Sequence, residues 1–276
     1  MHRRQIFTKL KTLLIIVVLS IVPGFGQQTQ NQFPGTASKL AASAKSRIKV
    51  AFVLTDGAVM IDFAGPWEVF QDVMIVPKGK SMHDPGASNM HVFYLYTVSD
   101  TMQPIRASGG MQIIPDYTFD DAPQPDVVVL PAQRGNSPKM MDWIRKMARR
   151  SDVVMSVCTG AFTLAETGLL NGKQVTTHHD AWGTLHEQFP SVTVQSNRRY
   201  VESAPGIFTS GGLSAGIDLA LHIIELYFGR EVAENTAYTM EYEGAGWKGD
   251  GSTSVKSEDG MKTMKMENGS PKTDMK

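Results

Sequence analysis

The chain has 276 residues, a single cysteine, and a formal net charge of zero from 27 basic and 27 acidic residues. One cysteine excludes an internal disulfide framework and a thiolate-rich structural zinc site. The balanced charge lacks the basic excess of a nucleic-acid-binding protein, and no solenoid-type repeat is present.

In residues 1–26 a basic segment (His2, Arg3, Arg4, Lys9, Lys11) precedes an apolar run over 13–22, followed by Pro23, Gly24 and Gly26. This is the three-part pattern of a secretory signal peptide, and the run is well short of the ~20 residues that span a bilayer. A periplasmic or secreted protein is expected, with no stable membrane insertion after cleavage; an uncleaved N-terminal membrane anchor is the alternative. Residues 27–47 are polar and read as a flexible linker. Residues 248–276 carry almost no apolar residue except methionine and read as a disordered tail. The domain between them, residues 48–247, is long enough for its own core.

Residues 48–55 (IKVAFVLT) read as a buried strand and 62–74 (DFAGPWEVFQDVM) as a helix. Strands follow at 91–99 and at 126–131, the latter (DVVVLP) apolar throughout, as in a strand covered on both faces. A helix over 137–150 starts with Ser137 as N-cap and Pro138 at its first position. Next come a strand at 153–157, a helix at 159–170, a strand at 174–178 and a helix at 181–189. A short strand at 206–210 precedes an amphipathic helix at 215–228 and a last helix at 230–241. The alternation predicts an α/β fold, a three-layer α/β/α sandwich with a mainly parallel sheet.

Ligands bind such sheets outside the carboxyl ends of the strands. Cys158, Asp62 and the pair Gly211–Gly212 each follow a predicted strand and His178 closes another, so four separately encoded features converge on one rim. Ser156-Val157-Cys158-Thr159-Gly160 has the small-x-nucleophile-x-Gly form of a nucleophile elbow. A thiol there sits at a helix N-terminus, which favours thiolate, and the Thr159 and Gly160 N–H groups face any oxyanion. The competing reading is that Cys158 is a small apolar core residue. Asp62 likewise has a competing role as N-cap of its helix. His178 and His179, adjacent in a strand, are expected to point to opposite faces, which leaves His178 as the site residue and no shared metal.

The stretches SVCTGAFTLAETGLLNGKQVTTHH, FTSGGLSAGIDLALHIIE and MIDFAGPWEVF together resemble the DJ-1/PfpI superfamily, and within it the isonitrile hydratase-like branch. The resemblance implies a flavodoxin-like fold, a homodimer, and a small-molecule substrate handled without cofactor or metal. It implies Cys158, Asp62 and Thr159 as catalytic residues, with Asp62 hydrogen-bonded to the thiol. Gly160, Gln133, Gly135, His178, Gly211 and Gly212 are implied to bind substrate or an oxyanion. The activity implied is hydration of an isonitrile through a thioimidate on Cys158. A non-catalytic ligand-binding or stress-sensing module and a glyoxalase or hydrolase activity are the alternatives. Where the family often has P-G-G-x-G, this chain has Pro131-Ala132-Gln133-Arg134-Gly135, so strain is expected at Ala132 and Gln133 if those positions need φ > 0. The family's regulators add a helix-turn-helix domain that the short polar tail cannot hold, and no nucleic-acid partner is expected.

Overall fold

A computed structural model of the chain describes residue 40 and residues 47–76, 79–81, 84 and 92–252. The expected signal peptide, most of the linker and the tail beyond residue 252 lie outside the described residues.

In chain order the elements are β1 (Ile48–Val53), α1 (Met60–Gln71), β2 (Phe93–Ser99), β3 (Ile105–Arg106), β4 (Gln112–Ile113), β5 (Tyr117–Thr118) and β6 (Val127–Leu130). After them come α2 (Pro138–Met147), β7 (Val153–Ser156), α3 (Gly160–Glu166), β8 (Gln174–Val175), α4 (Trp182–Gln188) and β9 (Thr193–Val194). The chain continues through β10 (Tyr200–Ala204), β11 (Ile207–Ser210), α5 (Ser214–Phe228) and α6 (Arg230–Thr239).

Seven strands form the central sheet in the order β10-β11-β7-β6-β1-β2-β5, every pair parallel except β10 with β11. The period-2 alternation of the strands divides the core. Val50, Phe52 and Leu54 pack into one cluster with Phe63, Val69, Leu219 and Ile223 of α1 and α5. Ala51 and Val53 pack into the other with Met140, Ile144, Ala161 and Leu164 of α2 and α3. Val127 and Val129 join the first cluster, Val128 and Leu130 the second. Continuous apolar runs at β1 and β6 thus mean a sheet covered on both faces, and the molecule is a three-layer α/β/α sandwich.

Ser137 caps α2 as its sequence suggests, its Oγ accepting from the Met140 N–H at 3.0 Å. Other expectations need correction. The strand placed at 174–178 is only the two residues of β8, which pair with β9 in a separate small sheet. Leu40, assigned to the linker, is buried in the first core cluster. The tail starts later than its polarity suggests, because residues 248–252 are hydrogen-bonded to the sheet edge. The Arg199 N–H donates to Gly251 O at 2.6 Å, and Arg198 reaches Ser252 Oγ at 2.6 Å. The first is a backbone contact and the second joins polar side chains, and hydropathy registers neither.

Trp247 anchors that segment. Its side chain is fully buried, its Nε1–H donates to Gly244 O at 3.1 Å, and Arg230 and Lys248 lie 5.1 and 5.2 Å from the ring centroid. Nearby, buried Asp218 pairs with Arg199 and accepts from the Tyr242 hydroxyl at 3.1 Å. Trp247→Ala is expected to cost ~3–5 kcal/mol of stability, read as a lower urea midpoint. A loss below about 1 kcal/mol would mean that the segment only rests on the domain.

Candidate active site

The sharp turn between β7 and α3 presents the cysteine. Cys158 has φ 60°, a left-handed conformation that non-glycine residues rarely hold, so the surrounding chain must impose it. Two contacts do so. The Cys158 N–H donates to Gly211 O at 3.0 Å, and the Cys158 carbonyl accepts from Thr177 Oγ1 at 2.8 Å. A third constraint is steric: a Cβ on Gly160 would lie 2.2 Å from Leu130 O and 2.9 Å from Pro131 O. Both are backbone atoms and cannot move aside, so the elbow's glycine is required for packing.

Gly160 is therefore not an oxyanion donor, contrary to expectation. It is buried, and its N–H is bonded to Val157 O at 3.0 Å. Thr159 lies beside the sulfur, and its N–H and hydroxyl are the groups that favour the thiolate.

Asp62, in the first turn of α1, is fully buried. The N-cap position belongs to Val59, so the capping alternative for Asp62 does not hold. Its carboxylate instead accepts from Leu213 N–H at 3.1 Å and Ala132 N–H at 3.3 Å, and it lies near enough to the Cys158 thiol for each to shift the other's proton affinity. Leu213 reaches it from a second left-handed residue, φ 55°. Neither backbone donor was identified from sequence, since neither side chain advertises it.

His178 sits across the same point. A Cβ added to Gly212 would lie 2.3 Å from His178 Cδ2 and 3.3 Å from Cys158 Sγ, so only glycine lets ring and sulfur close on this spot. Gly211 contributes backbone alone, its carbonyl holding Cys158 and its N–H donating to Arg199 O at 2.9 Å.

The two histidines do not point to opposite faces. They open a short 3-10 turn after β8, where their rings stack with centroids 4.2 Å apart. Together with Asp180 they bring three potential ligand atoms within 4.8 Å of one another, the one such group among the described residues. His179 and Asp180 are 64% and 79% exposed, so an ion there would be held at the surface.

The loop after β6 resolves the question raised by its missing glycines. Only Gly135 has positive φ (76°); Ala132 and Gln133 are unstrained. Gly135 turns the exposed end of the loop and does not line the site, whereas Gln133 does. It borders a groove of about 390 Å³ with Thr159, Asn136, Thr163, Glu166 and Asp180.

The electrostatics reverse the expectation of a resting thiolate. Burial, with the Asp62 charge second, pushes the Cys158 thiol up to about 12. A helix terminus contributes ~0.3–1 kcal/mol, less than the ~1.4 kcal/mol that one pKa unit represents, and burial outweighs it. Burial also raises Asp62, against the hydrogen bonds from Ala132, Leu213 and Cys158 that lower it. The resting pair is a thiol beside a carboxylate that is easier to protonate than usual. Alkylation of Cys158 by iodoacetamide should accordingly be slow at about pH 7 and still rising beyond about pH 9. Asp62→Asn should shift the rise to lower pH by removing a negative charge; a wild-type plateau by about pH 8 would contradict the burial argument.

The DJ-1/PfpI family pattern matches residues 48–226. The chain is 30% identical over 200 residues to an isonitrile hydratase of Pseudomonas putida, covering 71% of this chain and 78% of that protein. It is also 30% identical over 160 residues to the HTH-type transcriptional regulator GbdR of Pseudomonas aeruginosa, covering 56% of this chain and 43% of the regulator. Among solved structures, a THiJ/PfpI family protein from Pseudomonas syringae matches with a TM-score of 0.60 at 21% identity, over 82% of this chain and 84% of that one. DJ-1 of Schizosaccharomyces pombe matches with a TM-score of 0.55 at 17% identity, over 70% and 98%. With the cysteine on its elbow and the acid beneath it, the chain belongs to the DJ-1/PfpI family.

Proposed function

We propose that the protein is a cysteine-dependent hydratase that converts a small isonitrile to the corresponding formamide. The observation that carries the reading is the Cys158 thiol held on its left-handed turn beside the fully buried Asp62 carboxylate, with Thr159 next to the sulfur. A neutral thiol beside a buried carboxylate is activated during attack. Sulfur bonds to the terminal carbon while its proton passes to Asp62, and Asp62 returns that proton to the same carbon, leaving a thioimidate. Water then adds to this carbon, nitrogen takes a proton, and the C–S bond breaks to release formamide and regenerate the thiol. Thr159 is suited to stabilise the leaving sulfur, since its N–H and hydroxyl favour the thiolate.

A second reading, a ligand-binding module without turnover, is favoured by the un-ionised thiol, only 8% exposed, and by the regulators among the relatives. Incubation with cyclohexyl isocyanide separates the two. Appearance of N-cyclohexylformamide, lost by at least ~10³-fold in a folded Cys158→Ala variant, supports the hydratase. Asp62→Asn should cost ~10²–10⁴-fold, and the wild-type rate should fall in acid as Asp62 is protonated, at a pH above the ordinary 3.8. Product formation undiminished in Cys158→Ala would end the proposal, and stabilisation by isocyanide without product would favour the binding module.

A further inference from the structure

The loop between β11 and α5 supplies backbone to both members of the buried pair. Gly211 O accepts from the Cys158 N–H at 3.0 Å, and two residues on the Leu213 N–H donates to Asp62 Oδ1 at 3.1 Å. Gly212, between them, is the residue whose missing Cβ leaves room for Cys158 Sγ. The loop's shape is a strained one. Leu213 holds φ 55° and ψ −112° with an exposed side chain, and no side-chain cap fastens it to the helix that follows. A left-handed leucine of this kind persists only where its surroundings fix it.

Arg199, immediately before β10, grips the loop at both ends. Its carbonyl accepts from the Gly211 N–H at 2.9 Å, and its Nη2–H donates to Ser214 Oγ at 3.0 Å. Through Nε the same guanidinium is fixed on the buried carboxylate of Asp218. A guanidinium is rigid and planar, so anchoring one arm in a buried ion pair determines where the other arm lies. The last described segment of the chain closes over this anchor. The Tyr242 hydroxyl donates to Asp218 Oδ1 at 3.1 Å, and the Arg199 N–H donates to Gly251 O at 2.6 Å. Gly246 packs so closely that a Cβ there would lie 2.6 Å from Asp218 Oδ2 and 2.9 Å from Arg199 Cγ. Residues 242–251 thus lock the arginine, and the arginine locks the loop.

We propose that Arg199 is a positioning residue for the Cys158–Asp62 pair, and that residues 242–251 act through it as a brace on the loop that carries Gly211 and Leu213. The inference concerns how the pair is held, so it does not rest on the hydratase reading and its test uses no isocyanide. The measurement is the pH profile of Cys158 alkylation by iodoacetamide in the full chain. Burial keeps that thiol protonated, and a loosened loop admits water to the sulfur. Asp62 and His178 are the titratable side chains beside the sulfur among the described residues, and none of the variants changes either. Arg199→Gln should speed alkylation at pH 8 about fivefold and move its rise to lower pH, as partial solvation of the thiol requires. Ser214→Ala removes only the arm to the loop, from an exposed side chain, and should speed alkylation about twofold with the urea midpoint unchanged. Met140→Ala, a core truncation on the opposite face of the sheet, should lower the urea midpoint and leave the profile as in the wild type. A wild-type profile in folded Arg199→Gln, or an equal shift in Met140→Ala, would overturn the proposal. Should Arg199→Gln not fold, Ser214→Ala decides: faster alkylation upholds the brace, and a wild-type profile removes it.

Discussion

A thiol and a carboxylate buried against each other cannot both be ionised without an uncompensated charge in a poor solvent for it. That constraint governs the site. Burial raises the proton affinity of Cys158 and Asp62 alike, and the Asp62 charge raises that of the thiol further, which favours the thiol–carboxylate form. The proton is thus retained at rest within the pair. Such a site stays unreactive towards casual alkylation and oxidation, which require a standing thiolate. A pair that keeps its proton suits a substrate that itself needs one.

Holding that pair together is the work of the sheet's carboxyl rim. Asp62 comes from the helix after β1, Cys158 from the turn after β7, Leu213 from the loop after β11 and Ala132 from the loop after β6. Parallel neighbours deliver these segments to one edge, and right-handed crossovers place the connecting helices out of the way. The left-handed backbone at Cys158 and Leu213 is the strain stored there, and the rigidity of two packed clusters around β1, β6 and β7 sustains it.

Much of this was legible in the residues. Period-2 alternation and continuous apolar runs identified β1, β6 and β7, and the spacing of small residues around Cys158 gave the elbow. What escaped had weak local signals: the two-residue strands β3, β4, β5 and β9, and the antiparallel edge β10, whose sequence YVESA alternates too little to stand out. At the site, side-chain identities were readable and backbone roles were not. Gly160 looked like a donor, yet its N–H is taken by Val157 and its value is the missing Cβ. The two histidines misled for a related reason. Alternation across a strand separates neighbours, but β8 ends before them and the 3-10 turn brings their rings together. The sign of the thiol's shift was also unreadable, because a helix terminus can be inferred locally whereas burial depends on the whole fold.

The loop after β6 shows how such a site changes its chemistry without changing its frame. With alanine and glutamine where relatives often have two glycines, the chain here still places one backbone N–H usefully, from Ala132, and directs it to the carboxylate. The next residue, Gln133, brings a side chain to the border of the groove. Gln133 can do this only because Thr55 fixes its oxygen, and Thr55 lies at the end of β1, two residues beyond the strand. A donor anchored to the sheet in this way is as well positioned as a backbone amide, and its reach can be altered by a single substitution. A change at position 133 then leaves Cys158, Asp62 and Thr159 in place, since they are carried by other segments of the rim.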